Sequence, residues 1–298
     1  MIGEPIDIPT PDGIMDGYAA HPAAPGPFPL VVLFMDIWGL REELFAIARR
    51  IAEQGYYCIA PNLFHREGKI RYERRNAEGR MVSFDTLPSP LQEEMRGHAL
   101  ALSRKSAVTD IEAILDFCRD RPVARRAAGS VGFCLGGRLA FHAAQEFPDR
   151  FRANASLHGT RLVSDAADSP HRLVSVMRGE MYCGFGERDS ATPPETRDAL
   201  AQAFAGRAGI AYRYNVHAGA QHGYSLPDRD VYDRDAAETD WREIFAMFAA
   251  NALGDDASRT SLLDPSKLGD PLPRNLFVEL SKLINPAVVS ISKAEAFQ

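Results

Sequence analysis

The chain has 298 residues, 45% of them hydrophobic and 25% charged, which is ordinary globular composition with apolar surface enough for one large α/β domain or two small ones. A formal net charge of −6 without any long run of Lys or Arg excludes a phosphate-neutralising nucleic-acid surface. No apolar run approaches the ~20 residues of a membrane helix, and residues 1–12 carry neither a basic n-region nor an apolar h-region, so a cytoplasmic protein with no membrane partner is expected.

Residues 6–10 and 14–20, separated by Pro11-Asp12-Gly13, predict an antiparallel hairpin. Residues 29–35 (PLVVLFM) form a short, nearly all-apolar run, as a strand buried on both faces requires. Residues 41–54 place Leu44, Ile47, Ala48 and Ile51 at helical spacing, and Gly55 follows as a stop signal. Residues 56–60 predict a second strand, closed by Pro61. The polar stretch from there to about Met95 shows no clear period and reads as a long loop. Its basic part, residues 66–80, also contains Glu67, Glu73 and Glu78, as a solvated surface does.

From residue 106 strands and helices alternate. Helices are predicted over 106–119, 136–146, 193–205 and 236–250, and strands over 128–133, 153–157, 181–185 and 210–216. Alternation of this kind implies βαβ units, a mostly parallel central sheet and helices on both of its faces. The character changes at Gly254, where Asp264-Pro265, Asp270-Pro271 and Pro273 keep the chain irregular. One α/β domain over residues 1–253 is therefore expected, with 254–298 as a C-terminal extension. The extension reads as a packed tail, a lid or a contact between subunits of a homo-oligomer.

The four cysteines, Cys58, Cys118, Cys134 and Cys183, show no CxxC or metal-ligand spacing. A disulfide framework is not expected in a reducing compartment. Cys134 stands apart. In Val131-Gly132-Phe133-Cys134-Leu135-Gly136-Gly137 it lies between a predicted strand and a predicted helix, the Gly-x-nucleophile-x-Gly arrangement with Cys in place of Ser. Such a turn lifts the sulfur above the sheet and sets it at a helix N-terminus, which favours the thiolate.

An α/β-hydrolase presents its acid and then its base after the nucleophile, each beyond a later strand. Asp189 follows the strand 181–185 within Gly186-Glu187-Arg188-Asp189, and His222 follows the strand 210–216 within Gly219-Ala220-Gln221-His222-Gly223-Tyr224. Taken singly, Asp189 reads more readily as a helix cap or loop carboxylate and His222 as a surface loop histidine. Together with Cys134 they arrive in the expected order, at carboxyl ends of strands where α/β sites form.

Phe34-Met35-Asp36-Ile37-Trp38-Gly39, the cysteine elbow, Gly186-Glu187-Arg188-Asp189, His222-Gly223-Tyr224, and Tyr232 with Trp241 together resemble the dienelactone hydrolase family over roughly residues 6–253. The resemblance implies an α/β-hydrolase that acts on small-molecule esters or lactones without a metal or an organic cofactor. His222 would take the thiol proton while Asp189 orients the imidazole, and Cys134 would form a thioester acyl-enzyme. By resemblance the oxyanion hole consists of the backbone N–H groups of Leu135 and Ile37. The family's glutamate beside the nucleophile is matched by Asp36, one methylene shorter. Asp36 either reaches Cys134 and assists its deprotonation or caps the local turn. The substrate-binding arginines of the family have no motif here, so Arg66 is a candidate, with His158, Arg161 and Tyr224 as further candidate pocket residues. A thioesterase or acyltransferase on the same fold and a non-catalytic thiol sensor or ligand-binding relative are the alternatives. A sensor would have no need of an oriented base.

Overall fold

The computed structural model describes residues 1–251; the expected extension, 254–298, lies outside the described residues. At the centre is an eight-stranded sheet. β1 (Ile2–Thr10) and β2 (Gly13–His21) form the antiparallel hairpin, with Gly13 at φ 118° supplying the tight turn. β2 pairs antiparallel with β4 (Tyr57–Pro61), and β4 pairs parallel with β3 (Phe28–Phe34). β5 (Val123–Phe133), β6 (Phe151–Leu157), β7 (Gly179–Gly186) and β8 (Ile210–His217) continue the sheet in parallel, giving the order β1-β2-β4-β3-β5-β6-β7-β8.

The order explains how the helices divide. From β3 the chain crosses to β4 through α1 (Glu42–Glu53), then turns back over β3 to β5 through α3 (Arg104–Phe117). Right-handed crossovers running in opposite directions place their helices on opposite faces. α4 (Leu135–Glu146) and α5 (Pro194–Phe204) continue in the second direction. α6 (Arg234–Ala250) returns to the face of α1, where Arg50 pairs with Glu238 at 2.6 Å and lies 5.0 Å over the Trp241 ring. With both faces covered, Leu30–Phe34 of β3 are all fully buried, which is why that strand reads as an unbroken apolar run. The reversal of direction at β3 opens a crevice at the carboxyl ends of β3 and β5, where ligands of open α/β sheets sit.

One expectation is corrected. The stretch read as a long loop contains a single turn at Phe84–Thr86 and a helix, α2 (Ser89–Ala101). Of that helix only Met95 is buried. An amphipathic stripe never forms in the sequence because no broad face meets the core. Met95 joins Trp38, Met81 and Leu87 in a small apolar cluster separate from the main core. No described helix is long and apolar enough to cross a membrane.

Candidate active site

Cys134 occupies the turn between β5 and α4 with φ 55° and ψ −115°. Non-glycine residues avoid that region, at a cost of about 1–3 kcal/mol. The turn is held by its backbone: the Cys134 N–H donates to Leu157 O at 3.1 Å, and its carbonyl accepts from the Gly137 and Thr160 N–H groups, each at 3.0 Å. The flanking glycines are dictated by contact. A Cβ on Gly132 would stand 2.0 Å from the Gly136 oxygen, and one on Gly136 would stand 2.5 Å from the carbonyl oxygens of Phe34 and Met35. Among the described residues only Cys134, His158 (φ 39°) and Arg161 (φ 55°) are non-glycine residues at positive φ. All three follow β5 or β6, so the local strain gathers around the crevice.

Asp189, in the turn after β7, is buried. Its Oδ1 accepts the Ala191 N–H at 2.8 Å, and its Oδ2 accepts from His222 Nδ1 at 2.9 Å. Commitment of Nδ1 to the carboxylate leaves Nε2 as the uncommitted ring nitrogen, and Cys134 lines the same cavity as His222. Burial works against a charge on His222, yet the Cys134 sulfur and Asp189 outweigh it and raise the imidazole to about 10. The other cysteines sit in apolar surroundings: Cys58 in β4, Cys183 in β7 and Cys118 beyond α3, all buried. Burial pushes Cys58 up, and carries Cys118 and Cys183 to about 12.

Cys134, His222, Asp189, Ile37 and Leu135 line one cavity of about 420 Å³. Leu135 opens α4, so its N–H lies outside that helix's own ladder. In the turn after β3 the Trp38 N–H donates to Asp36 Oδ1 at 3.1 Å, and the Gly39 N–H to Asp36 O at 3.2 Å.

Asp36 is thus a turn cap. Its Oδ1 also accepts from Arg41 Nη1 at 2.6 Å, its Oδ2 from Arg41 Nη2 at 3.1 Å, and Arg229 Nη1 stands 3.7 Å away. Arg41 in turn grips Asp228 through Nε at 2.6 Å and Nη2 at 3.1 Å. Among the described residues no hydrogen bond or ion pair joins Asp36 to Cys134. The shorter side chain turns to the arginines instead.

The other candidates divide. Arg161 lines the cavity. Arg66 does not reach it, being held by Asp12 at 2.7 Å and Asp110 at 2.8 Å. His158 and Tyr224 are fully buried behind the cavity wall, and the Tyr224 hydroxyl donates to Asp240. Trp38, Phe84, Leu100, Arg138, Arg188 and Arg229 also line the cavity and were not singled out in the sequence. For Arg138 a signal existed: it lies four residues after Cys134, in the first turn of the helix that Cys134 precedes. Among the described residues no group of His, Cys, Asp and Glu could hold a metal ion.

A mostly parallel sheet with a strained strand-to-helix turn after β5, a carboxylate after β7 and a histidine after β8 has the layout of an α/β-hydrolase. The chain belongs to the dienelactone hydrolase family, whose sequence profile matches residues 15–252, and it is accordingly a hydrolase of the ester- and lactone-cleaving type. It is 25% identical over 242 residues to the carboxymethylenebutenolidase of Pseudomonas putida, covering 80% of this chain and 92% of that one. A Klebsiella pneumoniae structure assigned as a dienelactone hydrolase superposes with TM-score 0.71 at 23% identity, covering 83% of this chain and 98% of that one. A dienelactone hydrolase-like promiscuous phosphotriesterase from metagenomic libraries superposes with TM-score 0.63 at 21% identity, covering 84% and 98%.

Proposed function

We propose that the protein hydrolyses small carboxylic esters or lactones through Cys134, His222 and Asp189. The observation that carries this reading is the placement of His222, 2.9 Å from Asp189 and lining one cavity together with Cys134. His222 accepts the thiol proton, and the sulfur attacks the carbonyl carbon. The resulting oxyanion receives the N–H groups of Leu135 and Ile37, the kind of stabilisation worth roughly 10²–10³ in rate per donor. The tetrahedral adduct collapses to a thioester, and His222 returns its proton to the departing alkoxide. His222 then activates water, which releases the acid and regenerates the thiol.

Labelling tests the nucleophile. Brief exposure of the native protein to iodoacetamide, or acid quenching during turnover of p-nitrophenyl acetate, should place the label on Cys134. The other three cysteines should lag by about a hundredfold or more, because their thiolates are suppressed by burial. Label shared evenly among all four would remove Cys134 as an activated nucleophile.

One wall of the cavity is cationic. Arg138 and Arg161 both line it, and Arg138 Nε has no hydrogen-bond partner. Burial first, and then the neighbouring Arg161 charge, lower the Arg138 guanidinium from its usual range, so this pair gains by receiving an anion. We read this wall as the receptor for an anionic group on the substrate. Arg138→Gln should raise KM for a carboxylate-bearing ester by about tenfold, the size of one charge-assisted hydrogen bond. KM for a neutral ester should stay within about twofold. An equal rise for both esters would remove the assignment.

A further inference from the structure

His158 sits directly behind the base and takes no part in the chemistry described above. It follows β6 in left-handed backbone, at φ 39°, and is fully buried. Its N–H donates to Gly184 O of β7 at 2.8 Å, which fixes the residue to the sheet. Its Nε2 shares a hydrogen bond of 2.9 Å with Ser225 Oγ, and Nδ1 has no partner. The ring meets the His222 ring edge to face, with centroids 4.9 Å apart at 73°, and meets Tyr224 at 5.6 Å and 72°.

A polar side chain this buried is ordinarily fully paired, and a β-carbon at positive φ is ordinarily replaced by glycine. Both local costs are retained at one residue, and that residue touches the base. The remainder of the loop bearing His222 is anchored elsewhere. His217 Nε2 and the Tyr224 hydroxyl both bond Asp240 of α6, and the Arg188 N–H donates to Ala220 O at 2.9 Å. Between these anchors, Ser225 is the point at which His158 holds the loop. Burial, and then the positive groups His222 and Arg229, keep the His158 imidazole well below its usual range. The ring is an uncharged support.

We propose that His158 is the positioning residue of the base: through Ser225 and its own ring edge it fixes the His222 loop to the end of β6, so that the imidazole stays between Asp189 and Cys134. The inference rests on the triad read above.

Hydrolysis of a neutral p-nitrophenyl ester by four variants, each with a thermal melt, tests it. His158→Gln can return an amide to the place of Nε2 and keep the bond to Ser225, so kcat should stay within about threefold of wild type. His158→Phe keeps a ring but loses that bond, and Ser225→Ala loses it from the other side while removing only a hydroxyl. Each should lower kcat about tenfold with KM within about twofold, since one lost hydrogen bond misaligns the base without altering the cavity. The double variant His158→Phe/Ser225→Ala should be no worse than either single one, as residues acting through one bond are non-additive. The inference is overturned if losses multiply in the double variant, if they fall on KM, if His158→Gln is as poor as His158→Phe, or if Ser225→Ala keeps full kcat. Failure of the triad itself registers separately, as turnover surviving in Cys134→Ala.

Discussion

Cys134→Ala should lower kcat/KM for p-nitrophenyl acetate and small lactones by about 10⁵-fold, and His222→Ala should do nearly the same. The two residues share one bond network, so removing either abolishes covalent catalysis, and the double variant should be no slower than the worse single one. Asp189→Asn should cost about 10⁴-fold, because an amide no longer fixes the Nδ1–H tautomer that leaves Nε2 free for the sulfur. The fold should survive each change. Alanine at residue 134 keeps the same backbone, with Leu157, Gly137 and Thr160 still holding the turn. Cleavage that persists in Cys134→Ala would mean a different nucleophile and would end the triad reading.

Arg41→Ala should destabilise the protein by about 3–5 kcal/mol, the usual result of leaving buried charge unpaired. Arg41 is only 4% exposed and is the bridge between Asp36 and Asp228. Burial opposes its charge, but the two carboxylates more than compensate and hold the guanidinium above its ordinary range. Without it Asp36 is left with Arg229 at 3.7 Å, and Asp228 loses the hydrogen bonds it accepts from Arg41. A chemical-denaturation midpoint measures the loss. Adding Asp36→Asn and Asp228→Asn to Arg41→Met should restore much of it, since neutral neighbours remove the uncompensated charge. If Arg41→Ala unfolds together with wild type, the bridge contributes nothing. Activity should fall as well in Arg41→Ala, because Asp36 caps the turn that holds Ile37 at the cavity wall.

Much of the fold is legible because the central parallel strands are buried on both faces and leave uninterrupted apolar runs such as that of β3. The order of Cys134, Asp189 and His222 is legible for a different reason, since each falls beyond a recognisable strand. α2 escapes because one buried residue makes no stripe. Asp36 could be read two ways, and what decides between them is Arg41, five residues on, and Asp228, far along the chain. Arg66 reads as a free cation until Asp12 and Asp110 are seen beside it. The contact of His158 with Ser225 spans 67 residues and leaves no local pattern. Periodicity records which way a side chain faces. It does not record which partner a charge will find.

The small cluster of Trp38, Met81, Leu87 and Met95 lies apart from the main core, and the segment it supports contributes Phe84, Ala99 and Leu100 to the cavity. Cys134, Asp189 and His222, the proposed triad, by contrast follow β5, β7 and β8. The cavity is thus lined by two pieces of protein, the loops and helix ends that follow the strands and the segment from Ser83 to Leu100. Substitutions accumulating between Ser83 and Leu100 can reshape what enters the crevice while the sheet and its strained elbow stay as they are. That division makes a single scaffold evolvable toward many acyl groups.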